Sequence, residues 1–218
     1  MPENAKFLSV DVALATKAEL LWAIDTAETP VRVATLNPEF MLEARSNGPF
    51  REALHRMTHC TVDGTGLYWF LSRFRNRLGI GATIEHYQGA DLVEDLFSTY
   101  QNGEKSFFFL GGPEGQARDA AASVRNRFPA IRIVGAESGG TISPSNPFTE
   151  AHKSLLESTN PDILLVGFGA PKQELWIDAA RDLPISTMVG IGGTFGFYTT
   201  KKRAPKLFRA LHLEWLFR

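Results

Sequence analysis

Short apolar runs at 7–10, 31–36, 106–110, 131–134, 162–168 and 186–191 are mostly separated by stretches with apolar residues three and four apart. Runs of the first kind suit strands and stretches of the second kind suit amphipathic helices, so the alternation predicts a parallel sheet. The helical candidates are 17–26, 38–45, 50–57, 67–75, 90–100, 114–128, 149–158 and 172–181. Helices between parallel strands must cover both sheet faces, and the expected fold class is α/β with three layers and a mostly parallel sheet. No internal repeat or low-complexity linker divides the chain. Segment 136–148, rich in Gly, Ser and Pro, is the one long loop, a candidate mobile element or a plain connector.

In an open parallel sheet, ligands bind beyond the carboxyl ends of the strands. The residues that follow the strands are Thr35-Leu36-Asn37-Pro38, Asp63-Gly64-Thr65-Gly66 after a short Thr61-Val62 segment, Gly111-Gly112-Pro113-Glu114-Gly115, Gly167 to Glu174, and Gly190-Ile191-Gly192-Gly193-Thr194. Five polar or glycine turns on one edge make a pocket. In the fourth, the aliphatic Ile163 to Val166 turns through Gly167 and Gly169 into Pro171-Lys172-Gln173-Glu174. Proline suits a first helical turn, and a helix start offers unpaired N–H groups to an anion, with Lys172 as an added cation. Such turns also serve as plain connections.

Spacing excludes several chemistries. Gly167-x-Gly169 and Gly190-x-Gly192 do not complete a G-x-G-x-x-G fingerprint, and neither a G-x-x-x-x-G-K-[ST] loop nor a G-x-S-x-G elbow occurs. His55, His59 and Asp63 have helical spacing for a metal, but the Thr-Val-Asp-Gly stretch reads as strand and turn, so no metal site is expected. No Asp-x-Asp pair occurs, which argues against a divalent ion held on a diphosphate. Lys+Arg 23 against Asp+Glu 24 leaves a net charge of −1 and no global field for nucleic acid. The single Cys60 excludes an internal disulfide and fits a reducing compartment. Neither a secretory signal nor an apolar run of roughly 18 residues is present, so a cytoplasmic location is expected, with a membrane surface still open. What remains is Asp63 in a turn, with Thr35 and Asn37 nearby in pattern. One aspartate suits one proton transfer, as in glycosyl transfer with backbone N–H groups and cations holding a departing phosphate. Asp before Gly also forms ordinary turns, and both readings stand.

At these residues the chain resembles the WecG/TagA/CpsF family of bacterial glycosyltransferases. Thr35-Leu36-Asn37-Pro38 is similar to its T-x-N-P element, Asp63-Gly64-Thr65-Gly66 to D-G-x-G, Gly89-Ala90-Asp91-Leu92 to G-x-D-L and Phe109-Leu110-Gly111-Gly112 to F-L-G-G. Gly167 to Glu174 resembles G-x-G-x-P-K-Q-E, and Gly192-Gly193-Thr194-Phe195, Arg203-Ala204-Pro205 and Leu213-Glu214-Trp215-Leu216 follow in register. The resemblance implies a Rossmann-like, metal-independent enzyme without a cofactor. Such an enzyme moves N-acetylmannosamine or a related sugar, with inversion, from a UDP-sugar donor to polyprenyl-diphosphate-linked N-acetylglucosamine in cell-surface polymer synthesis, including teichoic acid linkage units. It further implies Asp63 as general base, Thr35 as its partner in the catalytic pocket, and Asn37 and Gln173 as sugar contacts. Lys172 and the glycine turns would serve the UDP. On the same basis Gly64, Gly66, His86, Gly89, Asp91, Gly111, Gly112, Gly169, Pro171, Glu174, Gly192, Gly193 and Arg203 fall on the substrate-binding side.

Two positions depart from the family pattern. His86 stands where an arginine is usual, a titratable cation for phosphate, and Gly196 stands where an aspartate is usual. Residues 1–200 are expected to form the Rossmann-like domain. The basic and aromatic segment 201–218 would begin a membrane-docking appendage that family members commonly carry further. A lipid-linked acceptor implies a peripheral position at the inner face of the membrane. Leu67-Tyr68-Trp69-Phe70-Leu71 with Arg73, Arg75 and Arg77 is a second candidate contact, equally readable as a core-packed helix or as part of a homo-oligomer. Two other classes remain open: a nucleotide-sugar-binding module that has lost catalysis, and a nicotinamide-dependent oxidoreductase.

Overall fold

The central strands are buried at every position, and their side chains alternate between the two faces of the sheet. The computed structural model describes residues 3–7, 10–26, 28–81 and 83–200; the segment 201–218, with Arg203, lies outside the described residues. The strands are β1 (Glu3–Phe7), β2 (Val10–Leu14), β3 (Val31–Leu36), β4 (His59–Val62), β5 (Ser106–Gly111), β6 (Arg132–Glu137), β7 (Ile163–Gly167) and β8 (Thr187–Gly190). The helices are α1 (Lys17–Thr26), α2 (Pro38–Ser46), α3 (Gly48–His55), α4 (Thr65–Phe74), α5 (Gly89–Thr99), α6 (Gln116–Arg127), α7 (Glu150–Thr159) and α8 (Lys172–Ala179), with a 3-10 turn at Thr194–Tyr198.

Phe107, Phe109, Ile163 and Leu165 face one side of the sheet, where they meet Leu20 and Ile24 of α1, Leu92 to Phe97 of α5 and the alanines of α6. Phe108, Leu110, Leu164 and Val166 face the other, packing with residues of α2, α3, α4, α7 and α8, among them Phe40, Phe50, Leu67, Leu156 and Trp176. Alternate residues of one strand thus enter two cores, which is why these strands read as continuous apolar runs. Each large side chain so buried contributes about 1.5–3 kcal/mol. The three-layer α/β expectation is met.

The strand order is β1-β2-β4-β3-β8-β7-β5-β6. All neighbours are parallel except β1 and β2, which pair antiparallel. Two strands therefore occupy the region read from sequence as the single run 7–10. Val10, Val12 and Leu14 are buried at alternate positions, the period of a half-buried strand rather than of a continuous run. From β4 the chain recrosses β3, β8 and β7 to enter the sheet again at β5. That reversal leaves a crevice above the carboxyl ends of β3, β4 and β8.

Local signals position the helices around this crevice. The Asn37 side chain caps α2 by accepting from the N–H groups of Glu39 at 2.9 Å and Phe40 at 3.2 Å, with Pro38 at the first turn. Helix α4 is split between core and solvent, with Leu67 and Leu71 buried and Trp69 and Phe70 52% and 38% exposed. The loop after β6 is tied down by His152 of α7, whose Nε2 donates to the Gly139 carbonyl at 2.9 Å. The His152 Nδ1 accepts from the Trp176 indole at 3.3 Å, and Ile142 of the same loop is buried.

Candidate active site

Thr35, Asp63 and Gly89 come together at the carboxyl ends of β3 and β4 and the start of α5. Thr35 precedes the last residue of β3, and its Oγ1 donates to the carbonyl of Gly190, the last residue of β8, at 3.0 Å. Asp63 directly follows β4, where the N–H groups of Asp63 and Gly64 both bond the Leu36 carbonyl at 2.8 and 3.1 Å. The two strand ends close up because position 64 has no side chain; a Cβ there would lie 2.7 Å from Pro38 Cδ.

The Asp63 carboxylate points at the start of α5, where Oδ2 accepts from the Gly89 N–H at 3.0 Å. A helix N-terminus favours negative charge through its orphan N–H groups and dipole, and Asp63 supplies from 26 residues away a cap that the local Gln88 side chain does not. Gly89 makes the approach close: a Cβ would stand 3.1 Å from Thr35 Cγ2 and 3.3 Å from Asp63 Oδ2. His86 is tied to the backbone of this group. Its Nε2 donates to the backbone carbonyl of Asp63 at 2.7 Å, and its ring packs 5.5 Å from that of Tyr68. Asp91 sits in the first turn of α5, two residues beyond Gly89, and Gly66 in the first turn of α4 against Pro38.

The glycine turns form the neighbouring wall. Gly111 adopts φ of 119°, and a Cβ there would fall 2.6 Å from the Gly167 carbonyl carbon. The Gly112 N–H bonds the Gly167 carbonyl at 3.0 Å, locking the ends of β5 and β7 together. Between β7 and β8 the link is Gln173. Its Oε1 accepts from the N–H groups of Gly169 at 3.2 Å and Gly192 at 2.9 Å, while its Nε2 donates to Glu174 Oε1 at 2.7 Å. Of the two residues expected on the substrate side here, Gln173 is buried and Glu174 completely so. They brace the turns from beneath. Burial pushes the Glu174 carboxyl up to about 7, against the opposing pull of the Gln173 amide. Lys172, by contrast, is exposed at the head of α8, immediately after Pro171, and Gly193 is exposed ahead of the 3-10 turn.

His55, His59 and Asp63 fall at the end of α3, the start of β4 and the turn beyond it. Among the described residues no three His, Cys, Asp or Glu side chains converge as a metal-binding group. Cys60 is buried, its thiol pushed up to about 12, which removes it as a nucleophile.

Two features of the site have no local signal in the sequence: the Gly89 cap on Asp63 and the Thr35 bond to the Gly190 carbonyl. Both join residues far apart in the chain. The glycines at 89 and 190 were the available clue, since glycine marks close approach; a Cβ on Gly190 would stand 2.8 Å from Gln173 Nε2.

Comparison with known proteins places the chain among glycosyltransferases. The model of the glycosyl transferase WecG/TagA/CpsF family matches residues 5–218. Two proteins of Staphylococcus aureus, from strains MRSA252 and NCTC 8325, are 28% identical over 188 residues, covering 85% of this chain and 70% of theirs. Each is named N-acetylglucosaminyldiphosphoundecaprenol N-acetyl-beta-D-mannosaminyltransferase. With a mostly parallel sheet in a three-layer fold and the family model matching residues 5–218, this chain belongs to the WecG/TagA/CpsF family of glycosyltransferases.

Proposed function

We propose that this glycosyltransferase moves an N-acetylmannosaminyl group from a UDP donor to a polyprenyl-diphosphate-linked N-acetylglucosamine, with inversion and without a metal ion. The observation that carries the reading is the placement of Asp63 against the N-terminus of α5 and beside Thr35, at the mouth of the strand-end crevice. One acceptor hydroxyl oxygen forms a bond to the anomeric carbon of the donor as the bond from that carbon to the UDP oxygen breaks. Asp63 takes the hydroxyl proton on its carboxylate, and UDP leaves as the anion. A single displacement needs one base and inverts the centre. The relatives' names supply the sugar and the lipid-linked acceptor.

Charge on the departing diphosphate falls to Lys172 and the start of α8, an exposed cation at a helix N-terminus. The sequence has no Asp-x-Asp pair that would hold a divalent ion there. The acceptor is carried by a lipid, and α4 leads from the site to a face suited to a membrane surface. Trp69 and Phe70 are exposed beside the exposed Arg73, Arg75 and Arg77, and no acidic residue occurs between Asp63 and Glu85. Among the described residues no helix is long and apolar enough to cross a membrane. Peripheral docking at the inner face, where the nucleotide donor is available, follows from this reading.

Calorimetric titration with UDP, UDP-N-acetylmannosamine, UDP-N-acetylglucosamine and NADH, with and without chelator, tests the proposal. Chelator-insensitive UDP binding with preference for UDP-N-acetylmannosamine is the expected result. Binding of NADH in place of UDP, or UDP binding lost with chelator, would overturn it.

A further inference from the structure

We propose that Glu174 is a positioning residue that fixes the orientation of the Gln173 amide and thereby holds together the two glycine turns beside the site. The oxygen and nitrogen ends of an amide have nearly the same shape, so their partners decide which way round the group sits. At Gln173 one end faces two donors, the N–H groups of Gly169 and Gly192, and must present oxygen to them. The other end then presents Nε2, and Glu174 Oε1 receives it at 2.7 Å. With Glu174 present, a flipped amide would set its NH2 against two N–H groups and its oxygen against the carboxyl, at the cost of all three hydrogen bonds; without that acceptor Nε2 is left unpaired in either orientation and a flip costs only two. Packing enforces the arrangement as well, because a Cβ on Gly190 would lie 2.8 Å from Gln173 Nε2 and 3.0 Å from Glu174 Oε1.

Glu174 is an expensive choice for a purely structural role. The side chain is fully buried, and Oε2 has no hydrogen-bond partner among the described residues. A buried carboxyl with one unpaired oxygen costs stability, which an apolar side chain of similar size would avoid. What the carboxyl supplies is the acceptor that sets Gln173, and Gln173 bridges the turn after β7 to the turn after β8 through the Gly169 and Gly192 N–H groups. Through Gly190 the same assembly reaches Thr35, whose hydroxyl bonds the Gly190 carbonyl. The inference rests on the proposed function in assigning these turns to the donor diphosphate.

Glu174→Met removes the acceptor and keeps most of the volume, while Glu174→Gln restores one. In the wild type, hydrogen exchange followed by NMR should show the Gly169 and Gly192 amides protected together. In Glu174→Met both should lose protection by about tenfold or more relative to the core strands, and Glu174→Gln should regain it. The UDP-sugar KM should rise about tenfold in Glu174→Met with kcat changed less than about threefold, the pattern of lost substrate positioning. Gln173→Leu, which removes the bridge from its other side, must act alike and serves if Glu174→Met does not fold. Unprotected amides in the wild type, retained protection in a folded Glu174→Met or Gln173→Leu, or failure of Glu174→Gln to rescue would each overturn the inference. The exchange measurement needs no substrate, so changed amide protection without a change in KM would place the failure in the donor assignment instead.

Discussion

The hydroxyl of Thr35 donates to the carbonyl of Gly190 at 3.0 Å, joining the end of β3 to the end of β8 beyond the last paired residues of those strands, Val33 and Val189. The bond is buried, and both ends of the threonine side chain lie close to Gly89, where a Cβ would stand 3.1 Å from Cγ2 and 3.3 Å from Oγ1. Thr35→Val preserves shape but leaves the Gly190 carbonyl without this donor. Stability should fall by about 1–3 kcal/mol in urea melts, and transfer should drop with it, whereas Thr35→Ser should retain most of both.

Gly89→Ala tests whether the approach of α5 to the carboxylate matters. Gly89 lies in a helical first turn, so the backbone tolerates alanine, but the added methyl stands 3.1 Å from Thr35 Cγ2 and 3.3 Å from Asp63 Oδ2. The carboxylate or the helix must shift by a few tenths of an ångström. Turnover should fall about tenfold or more with a stability change within about 1–3 kcal/mol, read by steady-state kinetics beside thermal melts.

Glu174 gives stability a pH dependence of definite sign. Burial lifts its carboxyl to about 7 in the folded chain from the ordinary 4.5, so the folded state holds the proton more tightly. The stabilisation is fully present below 4.5 and is lost as pH rises towards 7. It amounts to about 3 kcal/mol for the fully buried group. Comparison of wild type with Glu174→Gln from pH 4.5 to 8 isolates it: the wild type should lose stability relative to the variant as pH rises, then run parallel.

Lys172→Ala should weaken UDP binding, because the ammonium at the head of α8 is an exposed cation beside the glycine turns. A loss of about 1 kcal/mol or more, screened by added salt, is expected from calorimetry. Equal affinity would show that the diphosphate lies elsewhere.

The central strands and their outlets were legible in the sequence because their chemistry is local. Apolar runs such as Ile163 to Val166 are buried on both faces, and the polar residue after each run marks the strand end. β6 was read too short since Gly135, Ala136 and Glu137 look like loop; Gly135 is there because a Cβ would lie 2.2 Å from Phe108 Cε2, next to a register shift in β5. The site residues could be listed from the turns, but their division of labour could not. Glu174 and Lys172 are two residues apart in one motif, yet one is entirely buried and the other exposed. His86 reads as a cation for phosphate, and nothing in its spacing shows that its Nε2 also meets the Asp63 carbonyl. Those distinctions depend on contacts across the sheet, where sequence spacing carries no information.

Asp63→Asn measures the central claim most directly. The asparagine Oδ1 can still accept from the Gly89 N–H, so the fold and the crevice should persist while the base is removed. With N-acetylmannosaminyl transfer from UDP donor to lipid-linked acceptor followed beside UDP calorimetry, the account predicts transfer reduced by about a hundredfold or more and UDP affinity nearly unchanged. Turnover within a few fold of wild type would contradict it and remove Asp63 from the role of base.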